Sequence, residues 1–139
     1  MHYLGIDWGE KRIGLSYGDG LGVAVPLPAA TGASIDERLQ KIALCIEQRK
    51  IDVIVVGYPY NMDGSVGAKV EQVEAFIALL EQKFSLPVHR SDERLTTYHA
   101  EQSSRSLKLK DSRSSGALDS RAATLVLQDF LDQLPTVDR

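Results

Sequence analysis

The sequence predicts a single α/β domain spanning residues 1–139, in which a mixed β-sheet carries helices on both faces. Two short apolar segments, 3–7 and 13–17, flank a tight glycine-containing turn, as in a β-hairpin. A continuous apolar segment at 51–57 is typical of a strand that is covered on both faces. Strands and helices alternate through the second half of the chain, which requires parallel crossover connections.

The first half of the chain completes the hairpin and starts the first helix. Residues 22–28 (GVAVPLP) predict a third strand at an edge of the sheet, because prolines are tolerated there. Ser34 followed by Glu37 is a capping-box pattern that marks a helix start. The residues that fall on one face of the following helix are apolar: Ile35, Leu39, Ile42, Ala43 and Ile46.

The second half continues with strands and helices in turn. After the 51–57 strand and a polar turn, apolar residues at helical spacing predict a helix: Val66, Val70, Val73, Ile77, Leu80 and Phe84. Residues 86–90 predict a short strand. We expect a helix from Thr97 to about Lys108, a loop at 110–116, and a last helix from about Ala117 to Leu134. The predicted order is β-β-β-α-β-α-β-α-α.

Composition favours a cytoplasmic protein that does not enter a membrane. Hydrophobic residues make up 43% of the 139 residues, but no apolar segment approaches the ~20 residues that span a bilayer. The N-terminus does not have the pattern of a signal peptide. The single cysteine, Cys45, excludes an internal disulfide and a cysteine-based zinc site. A net charge of −3 means that a polyanionic partner would need a local cluster of basic residues.

Acidic residues follow the predicted strands. Asp7 ends the first strand, Asp92 and Glu93 follow the last one, and Asp119 lies near the start of the final helix. Ligands of open α/β sheets bind beyond the carboxyl ends of the strands. Carboxylates that converge there repel one another unless a cation lies among them, and Mg²⁺ or Mn²⁺ prefers such oxygen ligands. A pair of these ions can promote phosphodiester hydrolysis.

Each acid also has a simpler interpretation. Asp7 could accept hydrogen bonds from turn amides. Asp119 could be a first-turn acid that is stabilised by the helix dipole. Glu93 could form a surface ion pair with Arg94. Spacing alone leaves these alternatives open.

Basic and hydroxyl residues near the acids are candidate contacts to a nucleic acid. Lys11 and Arg12 lie in the hairpin turn close to Asp7, where either could hold a phosphate or balance the acids. The other candidates follow the last strand or lie between Gln102 and Ala117: Arg94, Thr96, Thr97, Arg105, Lys108, Lys110 and Arg113. A threonine at 96 or 97 could instead cap a helix, and the basic segment could be a solvated loop.

Four segments together resemble the YqgF family of RNase H-like nucleases, which is also known as the Holliday junction resolvase or pre-16S rRNA nuclease family. They are GIDWGEKRIGLS (5–16), VVGYPYNMDGS (55–65), SDERLTT (91–97) and LDSRAATLVLQDFL (118–131), and they occur in the family's order. The combination of DERLTT with the KRIG turn is highly specific. Many relatives have more lysines before the third acid, where this chain has Ser114, Ser115 and Gly116.

The resemblance implies an RNase H-like sheet of five strands in the order 3-2-1-4-5, with strand 2 antiparallel. It implies that Asp7, Glu93 and Asp119 are the catalytic and metal-binding acids, with Mg²⁺ or Mn²⁺ as cofactor. The implied activity is endonucleolytic hydrolysis, most simply of the 5′ end of pre-16S rRNA during ribosome biogenesis. Four-way DNA junctions are the alternative substrate. The expected partners are this nucleic acid and ribosomal particles, and the protein would be a monomer or a homodimer.

Two other functional classes are compatible with the sequence. A Gly-x-Asp-x-Gly turn at Gly5, Asp7 and Gly9 also resembles the phosphate turn of sugar-kinase and actin-like ATPases, although those proteins bind nucleotide between two such domains. A non-catalytic RNA-binding or ribosome-assembly factor would need the basic residues but not the acids.

Overall fold

The computed structural model describes residues 1–9, 11–58, 68–92 and 120–134. Five strands and three helices lie in these ranges. The strands are β1 (Tyr3–Asp7), β2 (Arg12–Gly18), β3 (Ala24–Thr31), β4 (Val53–Tyr58) and β5 (Val88–Asp92). The helices are α1 (Ile35–Arg49), α2 (Ala68–Phe84) and α3 (Arg121–Asp132). The helix predicted at 97–108 and the loop predicted at 110–116 lie outside the described residues.

The sheet has the order β3-β2-β1-β4-β5, which confirms the predicted topology. β2 pairs antiparallel with both β1 and β3, whereas β4 pairs in parallel with β1 and β5. β3 lies at the edge, as its prolines Pro26 and Pro28 predict. It runs to Thr31 rather than ending at residue 28, because Ala30 and Thr31 continue to pair with β2. A register shift interrupts this pairing between Ile13 and Leu15.

Helices cover both faces, as predicted. Successive residues of β1 and of β4 point to opposite sides of the sheet. Leu4 and Ile54 therefore join the larger core cluster beneath α1 and α2. Tyr3 and Val55 join a second cluster, which contains the buried face of α3. We refer to this second side of the sheet as the α3 face. The two hydrophobic clusters fix α2 and α3 on opposite sides of β1.

The helix boundaries follow local signals. The Ser34 hydroxyl accepts a hydrogen bond from the Glu37 N–H at 3.2 Å, which confirms the predicted helix start. The Glu37 carboxylate accepts a bond from the Ala33 N–H rather than from that of Ser34. α1 ends at Arg49, and the C-cap residue Lys50 adopts a left-handed conformation (φ 53°). The described part of the last helix begins at Arg121, with Ser120 at its N-cap. No helix in the described ranges is long and apolar enough to cross a membrane.

Candidate active site at the carboxyl edge of the sheet

Asp7 is the last residue of β1, and its side chain is half-buried. Strand alternation places Asp7 on the same side as Tyr3 and Gly5, which is the α3 face. On that face, Tyr3 packs with the C-terminal part of α3, and Gly5 packs closely against Ala123 and Leu127. Asp7 is therefore directed towards the side of the sheet where α3 begins.

Buried hydroxyl groups attach the start of α3 to the central strands. The Ser120 Oγ accepts a hydrogen bond from the Leu15 N–H at 3.1 Å and donates one to the Leu27 carbonyl at 2.5 Å. One turn further on, the Ser16 Oγ donates to the Ala123 carbonyl at 2.7 Å. Leu15 pairs with Ile6, the residue before Asp7. These bonds hold the residue that follows Asp119 in the chain against the strand that pairs with the end of β1.

Two glycines lie on the α3 face, where a side chain would obstruct either the packing of α3 or the space beside Asp7. A Cβ atom on Gly5 would lie 2.7 Å from the Leu127 Cβ and 2.9 Å from the Ala123 carbonyl oxygen, so the close approach of α3 to β1 requires glycine there. Gly57 follows Val56, the β4 partner of Ile6, and pairs with Ser91 of β5. Because Gly57 has no side chain, β4 puts no side chain between Asp7 and β5 at this level of the α3 face.

The end of β5 is attached to α2. The Arg90 Nε donates to the Glu74 carboxylate at 2.8 Å, and the Arg90 guanidinium lies 5.6 Å from the centre of the buried Tyr58 ring. The hydrogen bond from Arg90 lowers the pKa of Glu74, and the same bond raises the pKa of Arg90. Tyr58 and Asp92 pair as the last residues of their strands. The contacts of Arg90 and the pairing of Asp92 thus hold the end of β5, which Glu93 follows in the chain, against α2 and β4.

The structure places three of the predicted site residues. Asp7 ends β1, and the exposed Lys11 and Arg12 follow it across the hairpin turn, Arg12 being the first residue of β2. The other predicted residues lie outside the described ranges: Glu93, Arg94, Thr96, Thr97, Arg105, Lys108, Lys110, Arg113 and Asp119. Convergence of the three acids therefore stays a prediction.

A groove beside Asp7 was not predicted from the sequence. This groove has a volume of about 570 Å³ and is lined by Trp8, Gly9, Lys11, Lys69 and Gln72. Lys69 and Gln72 are three residues apart on α2, so they share the helix surface that faces the β1–β2 turn. That spacing was visible in the sequence, but nothing in it indicated that α2 lies next to Trp8.

The described residues fit one part of a metal site. Among them, no group of three His, Cys, Asp or Glu side chains is positioned to hold a metal ion. Asp7 does provide a carboxylate at the end of a central strand, and oxygen ligands of this kind suit Mg²⁺ or Mn²⁺. Of the other two predicted ligands, Glu93 follows the last residue of β5 in the chain, and Asp119 precedes Ser120.

Comparison with known proteins agrees with this architecture. The family described as RuvX, Holliday junction resolvase, matches residues 1–133. A protein of Opitutus terrae named "Putative pre-16S rRNA nuclease" is 49% identical over 134 residues, which cover 96% of this chain and 92% of that protein. A protein of the same name from Picosynechococcus is 43% identical over 130 residues, covering 93% of this chain and 90% of the relative.

Solved structures share the fold at low sequence identity. RuvC of T. thermophilus in complex with a Holliday junction substrate has a TM-score of 0.59 and 16% identity, and covers 96% of this chain and 97% of its own. The fowlpox virus Holliday junction resolvase has a TM-score of 0.57 and 11% identity, with coverage of 97% and 100%. These two structures bear out the RNase H-like fold, and the sequence match bears out the resemblance. This chain belongs to the family described as RuvX, Holliday junction resolvase, which is also called the YqgF family.

Proposed function

We propose that this protein is a metal-dependent endonuclease that hydrolyses phosphodiester bonds of structured nucleic acid, and that its substrate is the 5′ end of pre-16S rRNA. The observation that carries this proposal is the position of Asp7. Its carboxylate ends a central strand, on the face where buried hydrogen bonds attach the start of α3. The names of the relatives, at up to 49% identity, favour the ribosomal substrate.

In this proposal, Asp7, Glu93 and Asp119 bind the metal ions. Asp92 is the last residue of β5, so Glu93 follows it directly, and His89 of the same strand packs against Phe130 of α3. Glu93 is four residues after His89, and side chains alternate between the two faces of a strand. We therefore propose that Glu93 lies on the α3 face, as Asp7 does. Asp119 immediately precedes the anchored Ser120. When bound, Mg²⁺ or Mn²⁺ would lower the pKa of a water molecule and offset charge on the leaving oxygen.

The remaining proposed residues bind the substrate. Lys11 and Arg12 are exposed beside the end of β1, where they can contact phosphate oxygens. For the segment after β5, we propose phosphate contacts from Arg94, Thr96, Thr97, Arg105, Lys108, Lys110 and Arg113. A cytoplasmic location and contact with ribosomal particles follow from the proposed substrate.

Cleavage of a precursor RNA tests this function. Wild-type protein should cut an RNA that contains the 5′ end of pre-16S rRNA when Mg²⁺ or Mn²⁺ is present, and it should not cut in EDTA. Asp7→Asn should abolish cleavage and leave RNA binding intact. Asp36→Asn, which changes an exposed carboxylate in the first turn of α1, is the matched control and should cleave normally. Full activity of Asp7→Asn, or cleavage in EDTA, would contradict the proposal.

Holliday junction resolution is the second candidate, because the matching family carries that description. It predicts symmetric cleavage of a four-way DNA junction and a two-fold dimer with two active sites. The same protein preparation, assayed on a junction and on precursor RNA, separates the two substrates. A non-catalytic assembly factor would bind RNA and cut neither substrate.

A further inference from the structure

The groove beside Asp7 combines an aromatic wall with two cationic side chains. Trp8 forms the wall, and Lys11 and Lys69 approach from the hairpin turn and from the first turn of α2. Its volume of about 570 Å³ lies in the range of small-ligand sites. Of the described residues that line it, two are cations and none is acidic. The described lining therefore carries positive charge, which favours a phosphate-bearing ligand.

The aromatic wall is held in place by α2. Strand alternation directs Trp8 away from the α3 face and towards α2, where its ring lies 4.8 Å from that of the buried Phe76 at an interplanar angle of 34°. The Trp8 Nε1 is 3.5 Å from the Gln72 Oε1. An indole that packs on the core in this way is already ordered before a ligand arrives, so stacking on it requires little further loss of side-chain freedom.

Trp8 follows Asp7 in the chain, and the two side chains point to opposite faces at the same edge of the sheet, so an RNA strand bound at Asp7 would reach the groove by passing around the end of β1. A phosphodiester bound near Asp7 would bring its neighbouring nucleotide to the β1–β2 turn. A base inside a continuous duplex cannot present its face to a side chain, whereas an unpaired base can stack on an aromatic ring. The geometry thus favours a single-stranded segment over a duplex.

We propose that the groove binds one unpaired nucleotide of the RNA next to the cleaved bond, with its base against Trp8 and its flanking phosphates held by Lys11 and Lys69. This inference rests on the proposed nuclease function and specifies its substrate. The enzyme would select sites where a single-stranded segment adjoins the cleaved phosphate.

Trp8 is the only tryptophan in the chain, so intrinsic fluorescence reports directly on this groove. The 139-residue protein is titrated in EDTA, where cleavage cannot interfere, with a six-nucleotide uridine RNA and with a blunt RNA duplex. N-acetyltryptophanamide corrects for absorption by the nucleic acid. We expect saturable quenching by the single strand and little quenching by the duplex. Absence of quenching by the single strand, or equal quenching by both, would overturn the inference.

Variants of exposed lysines test the phosphate contacts. Lys69→Ala should weaken single-strand binding about five- to tenfold at low salt and reduce the slope of log K against log salt by about 0.7. Lys83→Ala, at the other end of α2, is the matched control and should bind like wild type. Fluorescence anisotropy of a labelled RNA gives an independent affinity, and equal weakening by both variants would refute a specific role for Lys69.

The cleavage assay distinguishes failure of this inference from failure of the proposed function. If wild-type protein cleaves with metal but Lys69→Ala cleaves equally well and Trp8 is not quenched, the groove assignment is wrong and the nuclease stands. If Trp8 is quenched and Lys69→Ala weakens binding but no metal supports cleavage, the groove binds RNA and the nuclease proposal is wrong.

Discussion

Ser120 and Leu15 are joined by a buried hydrogen bond of 3.1 Å, although they are 105 residues apart in the chain. The same hydroxyl donates to the Leu27 carbonyl and so connects β2 with β3 beside the register shift in their pairing. The first turn of α3 is thereby fixed against the sheet by a side chain. Because Ser120 follows Asp119 in the chain, we expect this contact to position the third proposed acid.

Replacing Ser120 with alanine should affect both stability and cleavage. It leaves the Leu15 N–H and the Leu27 carbonyl without the bridging hydroxyl in a buried environment, which costs about 1–3 kcal/mol. Urea denaturation measures this loss. Ser34→Ala is the control: it removes an exposed helix cap, should cost about 1 kcal/mol, and should leave cleavage by the folded protein unchanged. Equal cleavage by the two folded variants would mean that Ser120 does not position Asp119.

A single added methyl group at Gly5 should displace α3. Its Cβ would overlap the Ser16 hydroxyl and crowd Leu127 and Ala123, so we expect Gly5→Ala to destabilise the fold by about 1–3 kcal/mol. Cleavage should fall further than the loss of folded protein explains. Gly20→Ala is the control, since a Cβ there meets nothing within 4 Å. Similar denaturation midpoints for the two variants would contradict the close packing of α3 on β1.

The Glu74–Arg90 pair predicts a small, pH-dependent stabilisation. Arg90 lowers the pKa of Glu74, so the contribution is complete above the unfolded pKa, near 4.3, and is lost as the pH falls through the lower folded value. The side chains are 44% and 39% exposed, so solvent screening limits the effect to about 0.2–1 kcal/mol. Glu74→Gln should be less stable than wild type by this amount at pH 7, and the difference should shrink as the pH falls towards 3.

The measurement is urea denaturation of wild type and Glu74→Gln across that pH range. Glu47→Gln, on an exposed position of α1, is the matched carboxylate-to-amide control. A Glu74→Gln deficit that persists unchanged at pH 3 would show that the ion pair is not its cause.

Metal binding should be visible in thermal stability without any substrate. A bound ion stabilises the native state by about 2.7 kcal/mol at a hundredfold excess over Kd. Mg²⁺ or Mn²⁺ should therefore raise the Tm of wild-type protein by several degrees and raise that of Asp7→Asn much less. In EDTA, Asp7→Asn should have a higher Tm than wild type, because the substitution relieves repulsion among the proposed acids. Identical metal responses of the two proteins would exclude Asp7 as a ligand.

Short-range patterns were sufficient to predict most of the fold. Proline placed β3 at an edge, the Ser34–Glu37 pattern marked the start of α1, and the continuous apolar run identified β4 as a strand covered on both sides. These features depend on backbone sterics and on the periodicity of burial, which are local properties. The strand order came from the family resemblance, because several orders satisfy the same local patterns.

Contacts between distant segments were decided by the packing of helices on the sheet. The Ser120 bridge depends on how α3 crosses β2 and β3, and the groove depends on how the first turn of α2 meets Trp8. Neither relationship has a periodic signature, since each joins side chains whose separation is set by crossover geometry rather than by spacing along the chain. Sequence alone thus predicted Asp7 as a site residue, whereas the contact of Lys69 and Gln72 with the groove at Trp8 emerged only from the assembled structure.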